Sequence, residues 1–276
     1  MNTIEEYKAY GEKLYQQLHL ATYPVAIKYI KTRDEIPKDA VTPSALGQKL
    51  ALCQAFSQAR HWGMTVAMTA EDNFCTPATA IHKWWPVDLD DLIESQVKQG
   101  WHKNIKAEKR RFDALTGLLG NDYFPKPVQY CGFVCSPLMK TSLTPDSILI
   151  YGNGLQITHV IQALSYEHQH VPMSKFEGFE ESCVKGGLLP FLTQKPEVVI
   201  PGAGDRSFGA VSEDEIAVGM PANMIFYVME NLFKTGGIMN IGYPMKQILP
   251  MNLTEKLTPG FKFLWDKMYA KKNEQL

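Results

Sequence analysis

The segment 147–166 constrains the fold more than any other. Ser147 to Tyr151 is a short apolar run with β-branched and aromatic members, Gly152-Asn153-Gly154 turns the chain, and Leu155 to Tyr166 continues with helical periodicity. A strand handed directly to a helix buries one sheet face under that helix, so the chain needs a sheet covered by helices. The same alternation runs through the rest. Ile4, Tyr7, Tyr10, Leu14 and Leu18 recur at threes and fours and predict a first helix over 3–19. Tyr23 to Ile30 reads as a strand, with Pro24 tolerable at its start. A helix N-capped by Ser44 and running to about Arg60 turns Leu46, Leu50, Cys53 and Phe56 inward, with Arg60 two turns beyond Cys53 on the same face.

Further strands are expected at Met64–Met68, Val128–Val134, Val198–Ile200 and Ile216–Val218. Further helices are expected after Cys75, with Pro77 in the first turn, at Leu89–Val97, Ile105–Leu119, Pro221–Phe233 and Phe261–Tyr269. Cys183 opens a short helical stretch that stops at Gly186-Gly187. The expected class is mixed α/β (α+β): one sheet with helices packed around it in a single domain, 1–236. Residues 237–276 form a C-terminal helical extension packed on that domain or on a partner.

A chain of 276 residues buries a sizeable core without staples. Its net charge of -1 supplies no field for nucleic acid or an anionic membrane, so neither is an expected partner. The N-terminus reads as an amphipathic helix rather than an export signal, and no segment approaches the ~18 apolar residues of a membrane span. A cytoplasmic location follows as the expectation. Five irregularly spaced cysteines then read as reduced thiols, available to a metal or to chemistry.

The ordered series Tyr23-Pro24-Val25-Ala26-Ile27-Lys28, Cys53-Gln54 with Ala59-Arg60, Cys75, Ser136-Pro137-Leu138, Pro145 to Ile150, Gln156, Ala163, Cys183 and Asp214 to Pro221 resembles the domain of unknown function 169 family over residues 20–235. The resemblance implies a bacterial and archaeal protein of undetermined activity, and it singles out cysteines at the positions of Cys53, Cys75 and Cys183. It also implies a fourth cysteine in a glycine-rich turn at about Gly202, where this chain has none, and a glycine pair after the second cysteine, where this chain has Thr76-Pro77.

Four thiolates suit zinc or an iron–sulfur cluster, and three leave a position open. The leading expectation is therefore an iron–sulfur cluster on Cys53, Cys75 and Cys183, of a kind found in anaerobic metabolism. It would support redox or cluster-assisted chemistry on a small molecule, with an electron-transfer partner and a homo-oligomer among the expected associations. Zinc is the alternative metal, with His82, seven residues beyond Cys75, completing a Cys3His set. The competing reading is a non-catalytic small-ligand-binding protein whose cysteines pack as buried apolar groups. Arg60 is the charged candidate for a substrate carboxylate or an anionic cluster, against a helix-end role. Gly202 and Gly204, with Arg206, form a candidate anion cradle, against a plain turn between strands. Cys131 and Cys135, four apart on one strand and so about 13 Å apart in rise, read as structural. The Glu213-Asp214-Glu215 run reads as a solvated turn.

Overall fold

A computed structural model describes residues 2–124, 129–236, 242–244 and 258–274. Its helices, in chain order, are α1 (Ile4–Leu18), α2 (Leu52–Trp62), α3 (Thr76–Ile81), α4 (Leu89–Lys98), α5 (Ile105–Leu119), α6 (Gly154–Ser165), α7 (Leu189–Thr193), α8 (Ala203–Phe208), α9 (Met224–Asn231) and α10 (Pro259–Glu274). A π-helix, Glu181–Leu188, runs straight into α7. The strands are β1 (Val25–Ile30), β2 (Val66–Thr69), β3 (Gly132–Pro137), β4 (Ser147–Gly152), β5 (Glu197–Val199) and β6 (Ile216–Pro221). They form one antiparallel sheet in the order β2-β3-β1-β4-β6-β5, as the expected mixed α/β class requires.

Side-chain alternation along the strands assigns the two faces. Ala26, Ile148, Ile150, Val218 and Met220 pack under α1, α6 and α9. Val25, Ile27, Tyr29, Met68, Phe133, Cys135, Leu149 and Tyr151 pack under α2, α3, the π-helix and α7. The helix stripes explain the layers: Tyr7, Leu14 and Leu18 of α1 are buried, and Asn153 caps α6 through the N–H groups of Leu155 and Gln156.

Four sequence expectations change. The helix from Ser44 to Arg60 is instead a 3-10 turn over Pro43–Leu46 and a separate α2, because Gly47 takes a left-handed φ of 70° and Leu50 bridges to Asn73. Ser44 caps nothing; its N–H donates to Asp72. The third strand in chain order covers 132–137 rather than 128–134, set by the pairing of Gly132 with Ile30 and of Cys135 with Val66; 125–128 lie outside the described residues. Pro221 closes β6 instead of opening a helix. Gly186-Gly187 does not end the helix at Cys183. An added Cβ at Gly186 would lie 2.7 Å from Leu149, and one at Gly219 would lie 2.0 Å from the Gly186 carbonyl, so these glycines let the π-helix lie directly on the sheet.

Part of the expected extension, 237–241, 245–257 and 275–276, lies outside the described residues. Within it, α10 exposes Phe261, Phe263, Leu264, Trp265, Met268 and Tyr269. Among the described residues no helix is long and apolar enough to cross a membrane.

Candidate functional site

Three elements on one sheet face deliver the three thiols. Cys53 stands in the first turn of α2, Cys75 is the N-cap of α3, and Cys183 lies in the π-helix. Each position has a local cause. Gln54 returns its side chain to the Ala51 N–H at 2.8 Å and starts α2 one residue before Cys53. Asn73 holds the Cys75 N–H at 3.0 Å and the Cys75 carbonyl at 3.0 Å, while Pro77 fixes the opening of α3. The π-helix is anchored by buried charge. Lys185 meets Glu181 at 3.0 Å and Glu177 at 3.4 Å, and Arg111 of α5 meets Glu180 at 2.9 Å and Glu108 at 2.8 Å.

The thiols are close enough to feel one another's charge. Desolvation, then Asp205, then the other thiols push Cys53 and Cys183 up, and desolvation with Glu180 and Asp205 pushes Cys75 up. All three therefore stay protonated thiols in the metal-free protein and are poor nucleophiles as they stand. Asp205 accepts from the Gly202 N–H at 2.9 Å and the Ser182 N–H at 3.3 Å, tying α8 to the π-helix. Burial raises its carboxyl to about 6.

The glycine turn is also more than a link between strands. Gly202 is the N-cap of α8, and Cys53 donates its thiol to the Gly204 carbonyl at 3.3 Å. A Cβ at Gly202 would lie 2.3 Å from the Phe179 carbonyl and 2.6 Å from that of Gly178. The position where the family resemblance implies a fourth cysteine is thus filled by main-chain carbonyls in this chain. Asp205 takes the Gly202 N–H, so that donor is not offered to an anion, while Arg206 is exposed with Nη1 donating to the Ser212 carbonyl at 2.6 Å.

Arg60 is buried at 1% exposure, but its guanidinium is engaged by this chain's own groups. It meets Glu215 at 2.6 and 3.0 Å, Thr22 at 3.2 Å and the Ala210 carbonyl at 2.9 Å, and it lies 4.2 Å over the Tyr151 ring. It pins α2 to the segment before β6. Glu215 is the partner that the acidic run concealed, because a sequence shows three carboxylates and only the fold buries one. His82, at the far end of α3, is about 10 Å along the axis from Cys75 and hydrogen-bonds Ala78, so it does not join the thiols.

As a donor set, three soft thiols beside a carboxylate suit a soft metal. They are not a finished cage: among the described residues no group of three or more His, Cys, Asp or Glu side chains is arranged to hold a metal ion.

His82 gives a pH prediction. Burial holds its imidazole down at about 4, from 6.5. The unfolded chain takes up this proton first, so its contribution is complete above pH 6.5 and falls away as the pH drops toward 4, by about 3 kcal/mol in total. Urea midpoints measured from pH 7 to 4 should fall more steeply for the native protein than for His82→Gln. Equal slopes would assign the acid loss to other groups.

The chain belongs to the domain of unknown function 169 family, described as uncharacterised ArCR, whose pattern matches residues 13–231. A curated relative, the uncharacterized protein MJ0308 of Methanocaldococcus jannaschii, is 22% identical over 229 residues, covering 82% of this chain and 94% of the relative. No solved structure gives a significant match.

Proposed function

We propose that this member of the family is a cytoplasmic metalloprotein that takes up a soft metal, in the form of an iron–sulfur cluster, on Cys53, Cys75 and Cys183. The reading is supported by the packing of α2 and α3 against the π-helix, the elements that carry Cys53, Cys75 and Cys183, and by Asp205, whose charge bears on all three thiols. A bound cluster would supply redox or Lewis-acid capacity. The chain's part is to desolvate the thiols, to surround them with α2, α3 and the π-helix, and to release their protons when metal enters. The carbonyls of Gly178 and Phe179 close the place of a fourth cysteine, and the further oxygens near the thiols are the Gly204 carbonyl, 3.3 Å from the Cys53 sulfur, and the Asp205 carboxyl, whose charge bears on all three thiols.

The opposing reading, thiols that only pack, is favoured by the absence of a preformed metal group among the described residues. Metal content separates the two. Protein purified without oxygen should carry iron and sulfide in near-equal amounts with a visible absorption band. Cys53→Ser, Cys75→Ser and Cys183→Ser should each lose both, and Cys131→Ser should keep them. Metal-free native protein, or equal metal in all four variants, would establish the packing role.

A further inference from the structure

On the thiol-bearing side of the sheet lies a cavity of about 310 Å³ that none of the described cysteines lines. Its two ends differ in character. Trp84, Leu119 and Leu188 are buried and make an apolar floor, whereas Lys83 is half-buried and Asp122 and Gln129 are exposed, which makes a polar mouth with one cation and one anion. The volume is at the small end of the range for ligand pockets, enough for one ring with a short polar head and too small for a nucleotide.

The wall also holds a polar group with an unmet hydrogen bond. Tyr29 is 3% exposed, and its hydroxyl bonds to no group among the described residues. His82 Nε2 and Trp84 Nε1 in the same wall are fully enclosed, whereas the Tyr29 hydroxyl keeps accessible surface. The π-helix backs this hydroxyl, an added Cβ at Gly187 lying 3.3 Å from it, so the cavity is the side from which a partner can come. The ring is held in place by stacking on Phe191 at 4.7 Å and 16°. Burial above all pushes the phenol well above its usual range, so at neutral pH it is an O–H that both donates and accepts. A buried hydroxyl without a partner costs about 1–3 kcal/mol, which a ligand hydroxyl meeting it would offset.

At the mouth, Lys83 donates to the Tyr123 carbonyl at 2.6 Å, which fixes its charge beside the residue that follows Asp122 in the chain. A ligand of either single charge is attracted by one of these groups and repelled by the other, while a zwitterion is matched by both.

We propose that this cavity binds a free α-amino acid with a hydroxylated aromatic side chain. The ring lies among the aromatic and leucine side chains, its hydroxyl bonds Tyr29 Oη, and the zwitterionic head lies at the mouth with Lys83 and Asp122. The proposal does not require metal at the thiols.

The test titrates L-tyrosine, L-phenylalanine, tyramine and 3-(4-hydroxyphenyl)propionate into the full-length protein by calorimetry. The last three lack the hydroxyl, the carboxylate and the ammonium in turn. The expected result is a Kd below about 1 mM for L-tyrosine and affinities at least about fivefold weaker for each of the others. Tyr29→Phe should bring L-tyrosine to the level of L-phenylalanine and leave L-phenylalanine unchanged, a split that general damage to the fold would not produce. Leu192→Trp, which fills the cavity, should weaken both amino acids at least about tenfold while keeping the native circular dichroism spectrum. No binding of L-tyrosine at about 1 mM, equal affinity for all the probes, or a Tyr29→Phe protein that treats the two amino acids as the native protein does would overturn the proposal.

Discussion

Glu215→Ala is expected to destabilise the protein by about 3–5 kcal/mol, because it strips the buried Arg60 guanidinium of its only carboxylate among the described contacts. The remaining partners, Thr22, the Ala210 carbonyl and the Tyr151 face, cannot neutralise a full charge at 1% exposure. Desolvation works against ionising Glu215, yet Arg60 and the Ser212 N–H hold its carboxyl below the usual range, so Glu215 is a carboxylate at neutral pH. The double variant Arg60→Met, Glu215→Leu removes both charges and should recover most of the loss, since apolar pairs of similar volume replace buried ion pairs at little cost. Urea denaturation of the three proteins decides it. A single variant within about 1 kcal/mol of native would mean that Arg60 reaches solvent when unpaired.

Gly202→Cys would restore the cysteine that the family resemblance implies, and the expected outcome is damage rather than a better metal site. The new Cβ would meet two main-chain carbonyls at 2.3 and 2.6 Å, neither of which is the far end of a flexible side chain. Relief requires moving the 178–179 segment, which Arg111 and Lys185 hold through Glu180 and Glu181. Overpacking of this kind costs typically 1–3 kcal/mol, and here about 3 is expected because backbone must shift. Thermal unfolding and metal content measured together check it. A variant as stable as native and richer in iron would show that the wall yields and that the fourth position is open in this chain too.

Much of this architecture was written in local sequence. The 3.6-residue stripe of α1, the turn and Asn153 cap between β4 and α6, and Pro77 after Cys75 are signals that neighbours in the chain generate among themselves, so periodicity and capping chemistry were enough to read them. The cysteines stood out as a set through resemblance alone, since positions 53, 75 and 183 follow no compact ligand spacing. Their placement on one sheet face needed the strand order, which no local pattern encodes.

What only the tertiary structure decided are the partners of charge and the limits of space. Arg60 and Glu215, Arg111 and Glu180, and Asp205 with the Ser182 N–H are far apart in sequence; Arg60 reads as inward from its helix face, but its partner Glu215 reads as part of a solvated turn until burial makes that specific partner necessary. Likewise Gly186, Gly202 and Gly219 look like ordinary turn residues. Their real requirement is close backbone approach between the π-helix, its preceding loop and the sheet. Local sequence was enough for most of the strands and helices and for where thiols are available; packing set which elements carrying those thiols lie against one another, because contact between distant segments is a property of the assembled layers.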